Sequence, residues 1–207
     1  MINFTVSQLL IRGCAVLFAS TVQGLALAGA ASALGDKSPR HEGRFTINPL
    51  QHVDVVGGLI GLAFSIGWAK WITIDPRALR QGRASALAVV AAGFAALVLA
   101  IWVLRLVRPL ILPLLPDTAA STTFVLIDTA METCLWFALI GLVPVPPLMA
   151  GQLLVALVPA WRERDWRIDL GLDLGLGVLV AIGVAADVLG PAFAALTPFV
   201  LGDRVGM

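Results

Sequence analysis

The sequence predicts an all-α polytopic membrane protein with about five transmembrane helices, on three observations. Hydrophobic residues make up 59% of its 207 residues and charged residues only 13%, where a soluble domain has about 45–50% and about 25%. Several apolar runs reach the roughly 20 residues that a helix needs to cross a bilayer. Those runs are too long and too unalternating for barrel strands, so helices are the way to satisfy the backbone in lipid. The mean hydropathy of +0.94 excludes a disordered chain and an ordinary cytosolic enzyme. With 14 Lys and Arg against 13 Asp and Glu, the formal charge is +1, so no bulk field gathers phosphates and no nucleic-acid partner is expected. The chain reads as one transmembrane domain over 1–207, with a core over roughly 8–160 and an extra C-terminal apolar segment at 170–201.

The first apolar run, Leu9 to Leu34, is too long for a signal-peptide core of about 7–15 residues, and no basic segment precedes it. It reads as a retained helix, with Arg12 snorkelling near its start. The polar segment Gly35–Gln51 reads as a loop with a short extended piece at Arg44–Ile47. A second span is expected from Val53 to Ile72, closed by Trp68, Lys70 and Trp71 as interfacial anchors. A basic loop follows at Ile74–Arg83, then a third span at Ala84–Val107. Pro109, Pro113, Pro116 and Asp117 break the chain before a fourth span from Thr122 to Pro144. Beyond the prolines, Leu148–Ala160 is short for a crossing, so residues 144–160 read as a bent or re-entrant segment. A charged loop, Trp161–Asp169, leads to a last apolar segment, Leu170–Leu201, broken at Pro191 and Pro198. The loops after spans one, two and four each carry three Lys or Arg and fall on alternate sides, so charge assigns no orientation.

Polar groups within apolar runs are the first candidates for function. Asp128 and Glu132 lie four apart on one helical face and could move protons, or pair with Arg105. Asp173 and Asp187 lie in the last segment. Gly57 with Gly61, and Gly171 with Gly175, have the spacing that allows close helix approach. His41, His52, Glu42 and Asp54 are metal-capable types near the first loop, although His-x-Asp alone is a poor zinc signature. Cys14 and Cys134 lie in apolar runs and read as core thiols rather than a disulfide.

Three blocks share a specific pattern. GRFTINPLQHVDVVGG (Gly43–Gly58), GWAKWITIDPRALR (Gly67–Arg80) and LVPVPPLMAGQLLVALVP (Leu142–Pro159) resemble, in order, motifs of the site-2 protease family of intramembrane zinc peptidases. The match is to its compact branch without a PDZ domain, over roughly residues 20–160. The resemblance implies an HExxH helix giving two histidine ligands and a glutamate base, and an LDG motif giving an aspartate ligand. Leu34-Gly35-Asp36 matches an LGD that follows HExxH at a fixed distance, and Ala28 and Ala31 fit its small positions. Counting back places the ligand and base positions on Gln23, Gly24 and Leu27. The LDG position reads Leu148-Met149-Ala150, and Gly141 replaces an asparagine.

The departures imply a pseudoprotease. Leu27 and Gly24 offer no ligand atom, and Met149 no carboxylate. Without the metal, water keeps a pKa of about 15.7 and is no nucleophile near neutrality. No catalytic residue and no zinc are therefore expected, and bound lipid is the ligand left open. The retained Asn48, Pro49, His52 and Asp54 would hold the loop to the helix end. A groove that once held a substrate helix can still bind one, so the expected role is an accessory subunit. It would bind transmembrane helices of a larger membrane complex, respiratory or photosynthetic complexes being examples, in a bacterial inner membrane. Gly24, Ala28 and Ala31 are the expected helix-binding surface. An ion-conducting protein using the intramembrane carboxylates and a residual metalloprotease are the alternatives.

Overall fold

The structure, a computed structural model, describes residues 5–72, 74–75, 77–158 and 165–200. Among them are eight α-helices and no strand beyond an isolated Val53–Ala69 bridge. The long helix α1 spans Val6–Ala33. Thr5 caps it by accepting from the Gln8 N–H, and Gln8 Oε1 accepts in return from the Thr5 N–H, so two terminal donors are satisfied at once. Its 28 residues rise about 42 Å, more than the roughly 30 Å of a bilayer's hydrocarbon core. The one-turn α2 (Ser38–His41) and a 3-10 turn at Pro49–Gln51 occupy the following loop. The expected extended piece at Arg44–Ile47 is absent, because Arg44 is bonded inward instead.

The chain from Val53 to Ile72 does not cross. Helix α3 is Val55–Phe64, ten residues and too short. It descends antiparallel to α1: Gly61 lies against Val16 and Leu62 against Gly13, and Arg12 Nη1 donates to Ala63 O at 2.7 Å. Ser65, at φ 62°, ends the helix in the left-handed region. The chain then returns beside α3, where the Lys70 N–H donates to His52 O at 2.7 Å. Trp68 is thereby a core residue, 2% exposed, rather than an interfacial anchor. The hairpin ends where it began: the Asp75 N–H donates to Asp36 Oδ2 at 2.8 Å and the Arg80 N–H to Leu34 O at 2.9 Å. Two loops expected on opposite sides therefore share one end of the bundle.

Helices α4 (Arg83–Ile111) and α5 (Asp117–Gly141) cross in turn, and α4 runs on through Pro109. Together with α1 they form the central three-helix layer. The segment after Pro144 turns into a short helix α6, Gly151–Leu157, packed on α4, which does not cross; Pro159 and Ala160 lie outside the described residues. So do residues 161–164 of the expected Trp161–Asp169 loop, while its residues from Trp166 to Asp169 are helical. Helix α7 (Trp166–Ala181) and α8 (Val184–Val200) meet at 68°. The break falls at Gly183, φ 89°, and not at Pro191 or Pro198, which lie within α8. The protein is thus an all-α polytopic membrane protein with three long crossing helices, or four crossings if the bent pair counts as one, rather than five.

Candidate functional site

The α1 face bearing Val16, Ser20, Gly24, Leu27 and Ala31 recurs every three to four residues and is buried, as a helix stripe facing a core must be. Gly24, Ala28 and Ala31 therefore lie inside the bundle, and Ala28 and Ala31 are fully buried. This corrects their expected role as a partner-binding surface: neighbouring elements of the same chain already cover them.

What covers Gly24 is His52. A Cβ at Gly24 would run into His52 Nδ1 and lie 2.9 Å from its Cγ, so the imidazole rests in the space that the missing side chain leaves. His52 Nε2 stands 2.7 Å from Thr46 O. A carbonyl only accepts, so the neutral ring carries its proton on Nε2 and leaves Nδ1 bare. Among the described residues Nδ1 has no donor, and neither does Gln23 Oε1, buried one residue away from Gly24. Burial lowers the His52 pKa; the Thr46 carbonyl opposes this and the Arg44 charge adds to it.

Arg44 staples the loop. Its Nη1 donates to Gln51 O at 2.5 Å and its Nη2 to Trp71 O at 2.9 Å, so one planar guanidinium satisfies carbonyls on both sides of the hairpin. Burial lowers its pKa while Glu42, 4.0 Å away, opposes the shift. Asn48 Oδ1 accepts from the Leu50 N–H at the head of the 3-10 turn, with Pro49 as its first residue. Asp54 Oδ1 accepts from the Gly57 N–H at 2.8 Å and caps α3. Gly57 sits under Trp68, where a Cβ would meet the indole at 2.9 Å. Asn48, Pro49, His52 and Asp54 thus sit at the joints of this hairpin.

Leu27 and Met149 come together on α4. A Cβ at Gly93 would lie 2.5 Å from Met149 Sδ and 2.8 Å from Leu27 Cδ2. One at Gly141 would lie 3.1 Å from Met149 Cε, and the Ala150 N–H donates to Gly141 O at 2.8 Å. Each of Leu27 and Met149 is 2% exposed. The three ligand positions do not fit zinc, which takes imidazole, thiolate or carboxylate: Leu27 has no ligand atom, Met149 offers a soft thioether and Gln23 one weak amide oxygen. Among the described residues no three His, Cys, Asp or Glu side chains converge on a metal position, and the four near the first loop disperse. His41 and Glu42 are exposed, while His52 faces α1 and Asp54 its own helix.

The other candidates separate. Asp128 pairs with Arg108 at 2.8 Å rather than with Arg105, whose Nη1 donates to Phe199 O; Arg108 also lies over the Phe124 ring. Glu132 lies on the next turn. Asp173 Oδ1 accepts from Trp68 Nε1 at 3.1 Å, and Asp187 is exposed in the first turn of α8. Among the described residues nothing lies close to Gly171 or Gly175, whereas Gly57 and Gly61 do make close contacts. Cys134 is buried as expected but Cys14 is exposed. Arg44, Gly93 and Trp68 are missed by sequence reasoning. A glycine in the middle of an apolar helix is the signal that could have found Gly93.

Over 73 residues the chain is 34% identical to a Bacillus subtilis (strain 168) protein named "Putative zinc metalloprotease YwhC". The chain is similar to a protein named for zinc proteolysis. The shared stretch covers 35% of this chain and 33% of that relative, so the chain spans about a third of the relative's length. No family model matches the chain, and no solved structure matches it.

Proposed function

We propose that this chain is a non-catalytic member of the site-2 protease family, acting as an accessory subunit that binds transmembrane helices of a larger membrane complex. One observation carries the reading. The positions that align with two metal ligands and the base hold Leu27, Met149 and Gly24, and their space is filled by carbon, sulfur and the His52 ring. The similarity to a protein named as a zinc metalloprotease supports the family. Leu27 and Met149 put apolar atoms where two ligands would stand, so those two positions carry no polar group that would be costly to bury unpaired, while Gln23 Oε1 and His52 Nδ1 remain polar beside Gly24. Its partners would be integral membrane proteins and its setting the bacterial inner membrane.

Native purification in mild detergent followed by mass spectrometry tests this reading. The expected result is a stoichiometric integral membrane partner that survives the size-exclusion step. A chain that elutes alone and cleaves a transmembrane reporter peptide would overturn it.

A further inference from the structure

The fold gathers five exposed cations at one end of the bundle: Lys37, Arg40, Arg77, Arg80 and Arg83. The bonds from Asp75 to Asp36 and from Arg80 to Leu34 bring their two loops together. The acidic neighbours there are engaged, since Glu42 faces Arg44 and Asp75 accepts from the Arg77 N–H. Among the described residues none of the five cations is ion-paired. Helix α4 also starts here on Gly82, with no capping side chain, which adds the positive end of a helix dipole. On the loop that follows Arg40, Phe45, Ile47 and Leu50 are exposed, and the Arg40 guanidinium lies 5.1 Å from the centre of the Phe45 ring.

We propose that this end binds the headgroups of anionic phospholipids in the adjoining leaflet. Arg77, Arg80 and Arg83 would meet the phosphates, and Phe45, Ile47 and Leu50 would lie among the upper acyl chains. Height favours lipid over an acidic protein. Arg83 is the first residue of α4 and Lys37 lies just past the end of α1, so the cations stand at headgroup level with the apolar side chains next to them. Each Lys or Arg near an anionic surface strengthens association by roughly fivefold.

The test uses the purified full chain, stripped of lipid in neutral detergent and offered phosphatidylglycerol or phosphatidylcholine, with retained lipid counted by native mass spectrometry. Phosphatidylglycerol should be retained preferentially. Arg77→Gln, Arg80→Gln and Arg83→Gln should each weaken the preference by roughly fivefold, and all three together by on the order of a hundredfold. Arg105→Gln should leave it unchanged, and the single variants keep the test readable if the triple variant fails to fold. Equal retention of the two lipids, a preference that survives the triple substitution, or displacement by inorganic phosphate at equal concentration would overturn the proposal.

Discussion

Replacing Gly24 by alanine sets two physical effects against each other. In an unencumbered helix the change stabilises by about 0.8–1.0 kcal/mol, because glycine loses more backbone entropy on folding. Here the added Cβ would stand 2.9 Å from His52 Cγ and closer still to Nδ1. The ring is fully buried and held by the Thr46 carbonyl, so it cannot give way without losing that bond. Overpacking of this kind costs about 1–3 kcal/mol and the lost hydrogen bond about 0.5–1.5 kcal/mol. The clash outweighs propensity by about 2 kcal/mol, which for a chain of this size lowers Tm by about 4–8 °C. Thermal unfolding of the purified protein in detergent reads this directly. Gly24→Ala combined with His52→Ala should be more stable than the sum of the two single changes predicts, with a coupling of at least about 0.5 kcal/mol. A higher Tm for Gly24→Ala alone, or strict additivity in the pair, would refute the cradle.

Acid should destabilise the fold through His52. Its folded pKa is lowered from 6.5, so its contribution is complete above 6.5 and is lost as pH falls below that value, where the unfolded chain takes up a proton that the folded chain refuses; His52→Asn should flatten the Tm-against-pH curve in that window. Arg44→Met removes the guanidinium bonds to the Gln51 and Trp71 carbonyls, so it should cost about 2 kcal/mol and speed proteolytic cleavage between Gly43 and Gln51. The positive-inside rule, applied to the single end that carries Lys37, Arg40, Arg77, Arg80 and Arg83, predicts that this end faces the cytoplasm. A cysteine placed at Gly43 or Arg77 in a chain lacking Cys14 and Cys134 should then label from the cytoplasmic side, and one placed at Leu114 from the opposite side.

The fold class and the long helices α1, α4 and α5 were legible in the sequence, because long apolar runs have one solution in lipid. The hairpin at 53–72 was not. Its composition suits a crossing, and it is the hydrogen bonds of Asp36, Arg44 and Lys70, with the Arg12 bond to Ala63, that show the chain turning back. Orientation was hidden for the same reason, since counting that hairpin as a span puts its flanking cations on opposite sides. At the candidate site, motif spacing located Leu27 and Met149, which do meet, and Gly24. It could not show that Gly93 shapes their packing or that His52 fills the space at Gly24, because both are contacts between residues far apart in the chain. It also misjudged Gly24, Ala28 and Ala31 as a free surface. Small residues allow close approach, and α1 uses that face for the rest of its own bundle.

Leu27 and Met149 meet as packing atoms at Gly93, and one turn along α1 the space at Gly24 is taken by His52. Metal analysis of natively purified protein tests this packing against a metal centre most directly. Such packing should leave far less than one zinc per chain, with no gain after incubation with zinc and desalting. One tightly held zinc per chain, removable only by chelation and lost on His52→Ala, would contradict it.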